Sequence, residues 1–155
     1  MGHLHGLAGD RIGSEAERLM AAFELSDRID TPVGEFSRGM RQKTALACAL
    51  LPAPPLLILD EPLAGLDAPT AGVVKAVLRA WADRGGAVIY SSHLLDVVER
   101  VCDRMAILDH GRLVALGSLD ELRRRAGSDG TLEQVFGRVT RSEDPALQAL
   151  SLIHI

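Results

Sequence analysis

Leu56-Leu57-Ile58-Leu59-Asp60-Glu61-Pro62, followed five residues later by Asp67, is the stretch on which this chain turns. Four apolar residues ending in two adjacent carboxylates predict a buried strand that delivers acid groups at its C-terminal end. Open α/β sheets bind their ligands at that edge. Asp60 is an oxygen donor of the kind that holds a hydrated magnesium ion. Glu61, one residue on, is placed to face an attacking water as general base or polarising group. Such a motif also arises by chance at strand ends, so its neighbours must be weighed with it.

The neighbours agree. Downstream, Leu63-Ala64-Gly65-Leu66-Asp67 continues the stretch, and a second apolar strand, Ala87-Val88-Ile89-Tyr90, ends at Ser91-Ser92-His93. Upstream, Phe36-Ser37-Arg38-Gly39-Met40-Arg41-Gln42 opens a helix predicted over roughly 38–51. Ser37 is a good N-cap and Gly39 permits close backbone approach. The free N–H groups and dipole of that terminus favour an anion.

In this order, the four elements resemble the C-terminal part of the ATPase domain of ATP-binding-cassette (ABC) transporters, over about residues 33–116. Ser37-Arg38-Gly39-Met40 stands at the signature motif, Asp60 and Glu61 at the end of the Walker B strand, Gly65-Leu66-Asp67 at the D-loop, and His93 at the switch histidine. The common signature is Leu-Ser-Gly-Gly-Gln, so Phe36, Arg38 and Met40 depart from it. That variant resembles one found among bacterial exporter ATPases.

The resemblance implies an α/β fold: a P-loop NTPase core of the RecA-like, ABC type, incomplete at its N-terminus, with a helical subdomain. It divides the chain into a signature subdomain over 1–52, a Walker B, D-loop and H-loop part over 53–117, and a C-terminal helical extension over 118–155. It implies ATP and Mg2+ as ligands, with Asp60 on the metal, Glu61 and His93 catalytic, and Ser37, Arg38, Gly39, Met40 and Asp67 binding nucleotide. It implies transmembrane permease subunits and a second ATPase subunit as partners, at the cytoplasmic face of the cell membrane. The function expected is coupling of ATP hydrolysis to transport, with export favoured by the signature variant. The alternative is a non-catalytic dimerisation module that completes or blocks an intact ATPase.

Nucleotide hydrolysis of this type needs a phosphate-cradling loop, Gly-x-x-x-x-Gly-Lys-Ser/Thr. The chain has two lysines, Lys43 and Lys75, and neither stands in that pattern. Gly34 and Gly39 have the glycine spacing, but Met40 occupies the lysine position. None of Gln42, Gln134 and Gln148 fits the family's Q-loop. The resemblance thus places Met1 just after that loop. In the family, the strand leading to the phosphate loop lies beside the strand ending at His93. Its absence predicts unpaired edges on strands 87–90 and 104–108, and a chain that is marginal alone.

Composition excludes several classes. The 155 residues are 47% hydrophobic, enough for a real core. A formal charge of −4 and 3% aromatic content argue against a nucleic-acid surface. Heptad arms, which a chromosome-maintenance relative of the same family would carry, do not appear. Arg123-Arg124-Arg125 reads as a solvated helix face, and Cys48 and Cys102 as small buried hydrophobes. His3, His5 and His154 read as incidental tail residues. No signal peptide or apolar span of about 20 residues is present.

The remaining helices carry their own signals. Ser14-Glu15-Ala16-Glu17 predicts a helix start by a capping box. Its stripe is Ala16, Leu19, Met20 and Phe23, and residues 1–13 read as lead-in. Pro69 opens a helix over 69–81. Ser118-Leu119-Asp120-Glu121 and Thr131-Leu132-Glu133-Gln134 are further capping boxes, separated by Gly127 to Gly130, and the stretch from Arg141 reads as loosely structured.

Overall fold

A computed structural model of the chain describes residues 9–141 and 153–154. The expectations for the lead-in with His3 and His5, and for most of the stretch beyond Arg141, lie outside these residues. The chain forms two compact units: Met1–Leu57 with Leu63–Val88, and Ile58–Pro62 with Ile89–Ile155.

The first unit is mainly helical. Helix α1 (Gly9–Ala22) starts five residues before Ser14, so the predicted capping box lies within it. Ile12 is one turn ahead of Ala16 and extends the same apolar stripe. Adding a turn to an existing helix costs far less than nucleating one. Leu19 and Phe23 are buried, and α1 packs on α2 (Arg38–Leu50), whose Leu46, Ala47 and Leu50 point inward. Lys43 of α2 is also buried, its Nζ donating to the Phe23 carbonyl at 2.8 Å. That bond satisfies a helix-end carbonyl that would otherwise lack a partner. Cys48 faces solvent on the same helix, contrary to the reading of it as buried. In α3 (Ala68–Ala82), Val74 and Leu78 are buried.

The second unit holds a continuous apolar core of Tyr90, Val98, Met105, Ile107, Ala115, Leu122, Leu132 and Val135. Around it stand α4 (Leu95–Val101), the hairpin of β3 (Met105–Asp109) and β4 (Arg112–Gly117), α5 (Leu119–Ala126) and α6 (Leu132–Arg141). The hairpin turn passes through His110 and Gly111, both at positive φ. Helix α5 has the predicted capping box at Ser118 and Glu121 and ends on Gly127 in the left-handed region. Glu99 ties three helices together: one oxygen accepts from Arg123 Nη2 at 3.2 Å, the other from the Leu132 N–H at 2.9 Å. Arg123 is therefore half-buried and structural, and only Arg124 and Arg125 form the expected solvated face.

Strands β1 (Leu56–Asp60) and β2 (Ala87–Ser91) begin in the first unit and end in the second. The Ala87 N–H donates to Pro55 O at their starts, and the Glu61 N–H to Ser91 O at their ends. They therefore run parallel, and bring Asp60-Glu61 level with Ser91. The sheet order is β1-β2-β5-β3-β4, where β5 is Ile153–His154. Two expectations change here. The edges of β2 and β3 are covered in part, because β5 pairs antiparallel with both, at Tyr90 of β2 and at Met105 and Ala106 of β3. Nor is β1 buried throughout: Ile58 is 71% and Leu56 43% exposed. Strand β1 lies at the sheet edge, and its side chains alternate between a covered face and an open one.

Candidate nucleotide site in two clusters

Each unit holds one cluster of the residues singled out from the sequence.

In the second unit, Asp60, Glu61, Ser91 and His93 gather where β1 and β2 end. The Ser91 hydroxyl donates to Asp60 Oδ1 and accepts from the Glu61 N–H at 3.2 Å. Ser91 was not singled out as a site residue. The available signal was a serine ending the strand parallel to the one ending in Asp60. Glu61 has φ +46°, a left-handed conformation uncommon for a residue with a Cβ. Strain of this kind survives where surrounding bonds enforce it, and it collects at functional sites. Here the enforcing bonds are visible. Both Ser91 O and Ser91 Oγ hold the Glu61 N–H, while Glu61 Oε1 accepts from the His93 N–H at 2.9 Å and from its ring Nδ1 at 2.7 Å. A carboxylate oxygen only accepts, so Nδ1 is the donor. Glu61 Oε2 is buried with no hydrogen-bond partner. Asp60 is exposed, and the His93 side chain is 69% exposed.

The cluster in the first unit is built from two helix starts. Ser37 caps α2, its Oγ accepting from the Met40 N–H at 3.2 Å. Asp67 caps α3, its Oδ1 accepting from the Thr70 N–H at 2.8 Å. That backbone bond, with a second from the Thr70 side chain, holds the Asp67 carboxyl below the usual carboxylate range. The two helix starts approach closely: a Cβ on Gly39 would lie 3.2 Å from Thr70 Cγ2. Arg38 Nη2 donates to the Ala64 carbonyl at 3.2 Å. Ser37 and Arg38 remain exposed, and Gly39 and Met40 are partly so.

A strand-end acid pair joined to a histidine, and a capped helix start tied to the loop before Asp67, reproduce in space the order of motifs along the chain. The family model described as ABC transporter matches residues 5–64. The daunorubicin/doxorubicin resistance ATP-binding protein DrrA of Streptomyces peucetius is 34% identical over 152 residues, covering 98% of this chain and 46% of that protein. The chain belongs to the ABC transporter ATPases. The ABC-type transporter ATP-binding protein EcsA of Bacillus subtilis is 36% identical over 143 residues, covering 90% of this chain and 57% of that protein. Among solved structures, an ATP-binding subunit of an ABC transporter aligns with TM-score 0.82 and 33% identity, over 90% of this chain and 59% of that one. The ADP conformation of an ATP-binding cassette of an ABC transporter aligns with TM-score 0.67 at 24% identity, covering 84% of this chain and 51% of that one, and shares the fold. This ABC ATPase chain spans about half the length of the curated relatives it matches.

Proposed function

We propose that this chain supplies the signature, Walker B, D-loop and switch-histidine parts of the ATP-binding subunit of an ABC exporter. The observation that carries the reading is the Asp60–Ser91–Glu61–His93 network at the ends of two parallel strands, with Glu61 Oε2 buried and unpartnered.

In this reading Glu61 is the general base. Its Oε1 is held by His93, and its Oε2 has no bond to give up before accepting a proton from the attacking water. His93 orients Glu61 through Nδ1–H, and as an imidazolium it would also donate from Nε2 to the γ-phosphate. Asp60 suits Mg2+: it is a hard oxygen donor, exposed, and fixed at one oxygen by Ser91. When bound, the ion neutralises charge on the phosphates. The exposed α2 terminus, with Ser37, Arg38, Gly39 and Met40, meets the nucleotide of a second ATPase subunit, and Asp67 links the two active sites. Permease subunits at the inner face of the cell membrane receive the closing motion. Among the described residues, no helix is long and apolar enough to cross a membrane. Export is favoured because DrrA and the linearmycin resistance ATP-binding protein LnrL of Bacillus subtilis are resistance proteins by name. The three segments 1–52, 53–117 and 118–155 are the functional parts we assign.

The test is a graft. This chain replaces the matching half of DrrA, and Mg-ATP hydrolysis is followed with and without Glu61→Gln. The graft should hydrolyse ATP, and Glu61→Gln should lower turnover by about 100-fold or more while leaving ATP binding intact. A graft whose turnover ignores Glu61→Gln would contradict the assignment. A second reading, a non-catalytic module acting on an intact ATPase, has one observation in its favour. Lys43 is committed to the Phe23 carbonyl and Lys75 lies within α3, so neither lysine serves a phosphate loop. In that case the chain would alter the turnover of intact DrrA on mixing, and the graft would be inactive.

A further inference from the structure

Arg38 is the residue in which this signature departs most from the common motif, and its position suggests a cation for the phosphate. Its guanidinium does something else as well. Nη2 donates to the Ala64 carbonyl across 26 residues of sequence. The group also lies directly on Gly65. A Cβ built there would be 2.5 Å from Arg38 Nη1 and 2.6 Å from Cζ and Nη2, so a side chain at this position would have to push the flexible guanidinium aside. Gly65 has φ +67°, so backbone conformation favours glycine there, and the guanidinium lies over its open face.

The same loop is short and fixed at both ends. The Leu66 N–H donates to the Leu63 carbonyl, and Asp67 caps α3. At the other side of the contact, Gly39 meets Thr70 in the first turn of α3. The first turn of α2 and the loop 63–67 are therefore joined at two places, one of which is a side chain that can be removed without opening the core.

We propose that Arg38 is a positioning residue: it clamps the D-loop, Leu63 to Asp67, to the first turn of α2, so that a disturbance of the signature terminus is passed to the D-loop. A planar guanidinium suits this task because it can cover a flat glycine while donating from its edge. Its consequence for ATP turnover rests on the function proposed above, but the clamp itself does not.

The test uses the full 155-residue chain without nucleotide, by amide hydrogen exchange. Arg38→Ala should raise exchange of the Leu66 N–H by about three- to tenfold, the equivalent of one net hydrogen bond. The Leu51 and Asp83 N–H groups, bonded to Ala47 and Arg79 at the far ends of α2 and α3, should not change. Arg38→Lys should restore part of the protection, since an ammonium can reach one carbonyl but cannot cover Gly65. The positioning role is read from a cycle with Ser37→Ala, which loosens the α2 terminus. Ser37→Ala should raise Leu66 exchange when Arg38 is present and have no effect on it in the Arg38→Ala background. Unchanged Leu66 exchange in Arg38→Ala, an equal rise at Leu51 and Asp83, or a Ser37→Ala effect that survives without Arg38 would each overturn the clamp. Failure of the DrrA graft to hydrolyse ATP would leave these exchange rates untouched, so the two ideas fail separately.

Discussion

The two clusters are made from different materials. In the second unit the acids are held by side chains, with a serine hydroxyl between Asp60 and the Glu61 N–H and a histidine across Glu61. In the first unit the signature terminus and D-loop are held by single side chains on backbone groups, Ser37 and Asp67 each on an N–H and Arg38 on a carbonyl, with no bond from side chain to side chain among those three. A group that must exchange protons needs acids in defined orientation. A surface that must close on an anion needs backbone N–H groups facing outward and a charge nearby. The contrast suggests chemistry at one cluster and recognition at the other.

Three substitutions test how separately the clusters are supported. Ile107 is fully buried in the core of the second unit, and Ile107→Ala should cost about 2–5 kcal/mol. Urea unfolding checks the size. Trp81 is the only tryptophan and lies in the first unit, so its fluorescence should lag behind exchange at the Glu61 N–H if the units unfold separately. Coincident transitions would remove the distinction. Ser91→Ala should cost about 1.5 kcal/mol, because a bond to a charged group is lost. It should also loosen Glu61 more than it loosens the Met40 N–H. Ser37→Ala should cost about 1 kcal/mol, the usual worth of an N-cap, and loosen the start of α2 and the loop clamped to it, while leaving the Glu61 N–H unchanged.

The smallest effects are those of pH, and they have opposite signs at the two ends of the range. Asp67 has a lowered pKa in the folded chain, so its cap stabilises above the ordinary value of 3.8. That stabilisation is lost as pH falls through the lower folded value. Cys102 and Tyr90 are raised, chiefly by burial, and Cys102 Sγ donates to the Tyr90 hydroxyl at 3.4 Å. Their contribution is complete below the unfolded cysteine value of 9.0 and declines above it, as the unfolded chain ionises first. Thermal melts from pH 3 to pH 10 should fall at both ends, and Cys102→Ser should soften the alkaline fall.

Much of this was legible along the chain, because local signals decided it. The Ser37 cap, the acids ending β1, Pro69 in the first turn of α3 and the Ser118 capping box all act within four residues. What escaped depends on partners far away in sequence. Ser91 reaches Asp60 across 31 positions, and Arg38 reaches Ala64 across 26. The exposure of Ile58 was hidden for a related reason: an apolar run does not reveal whether both faces of a strand are covered. The pairing of β5 with β2 and β3 had no sequence signal at all, since Ile153–His154 is too short to read as a strand.

Calorimetric titration of Mg-ATP into the 155-residue chain tests most directly the proposal that each cluster supplies only a part of a nucleotide site and that neither holds ATP by itself. Neither lysine stands in a phosphate-cradling loop, so the account predicts no binding at millimolar nucleotide. Binding at millimolar or tighter affinity by the chain alone would contradict it.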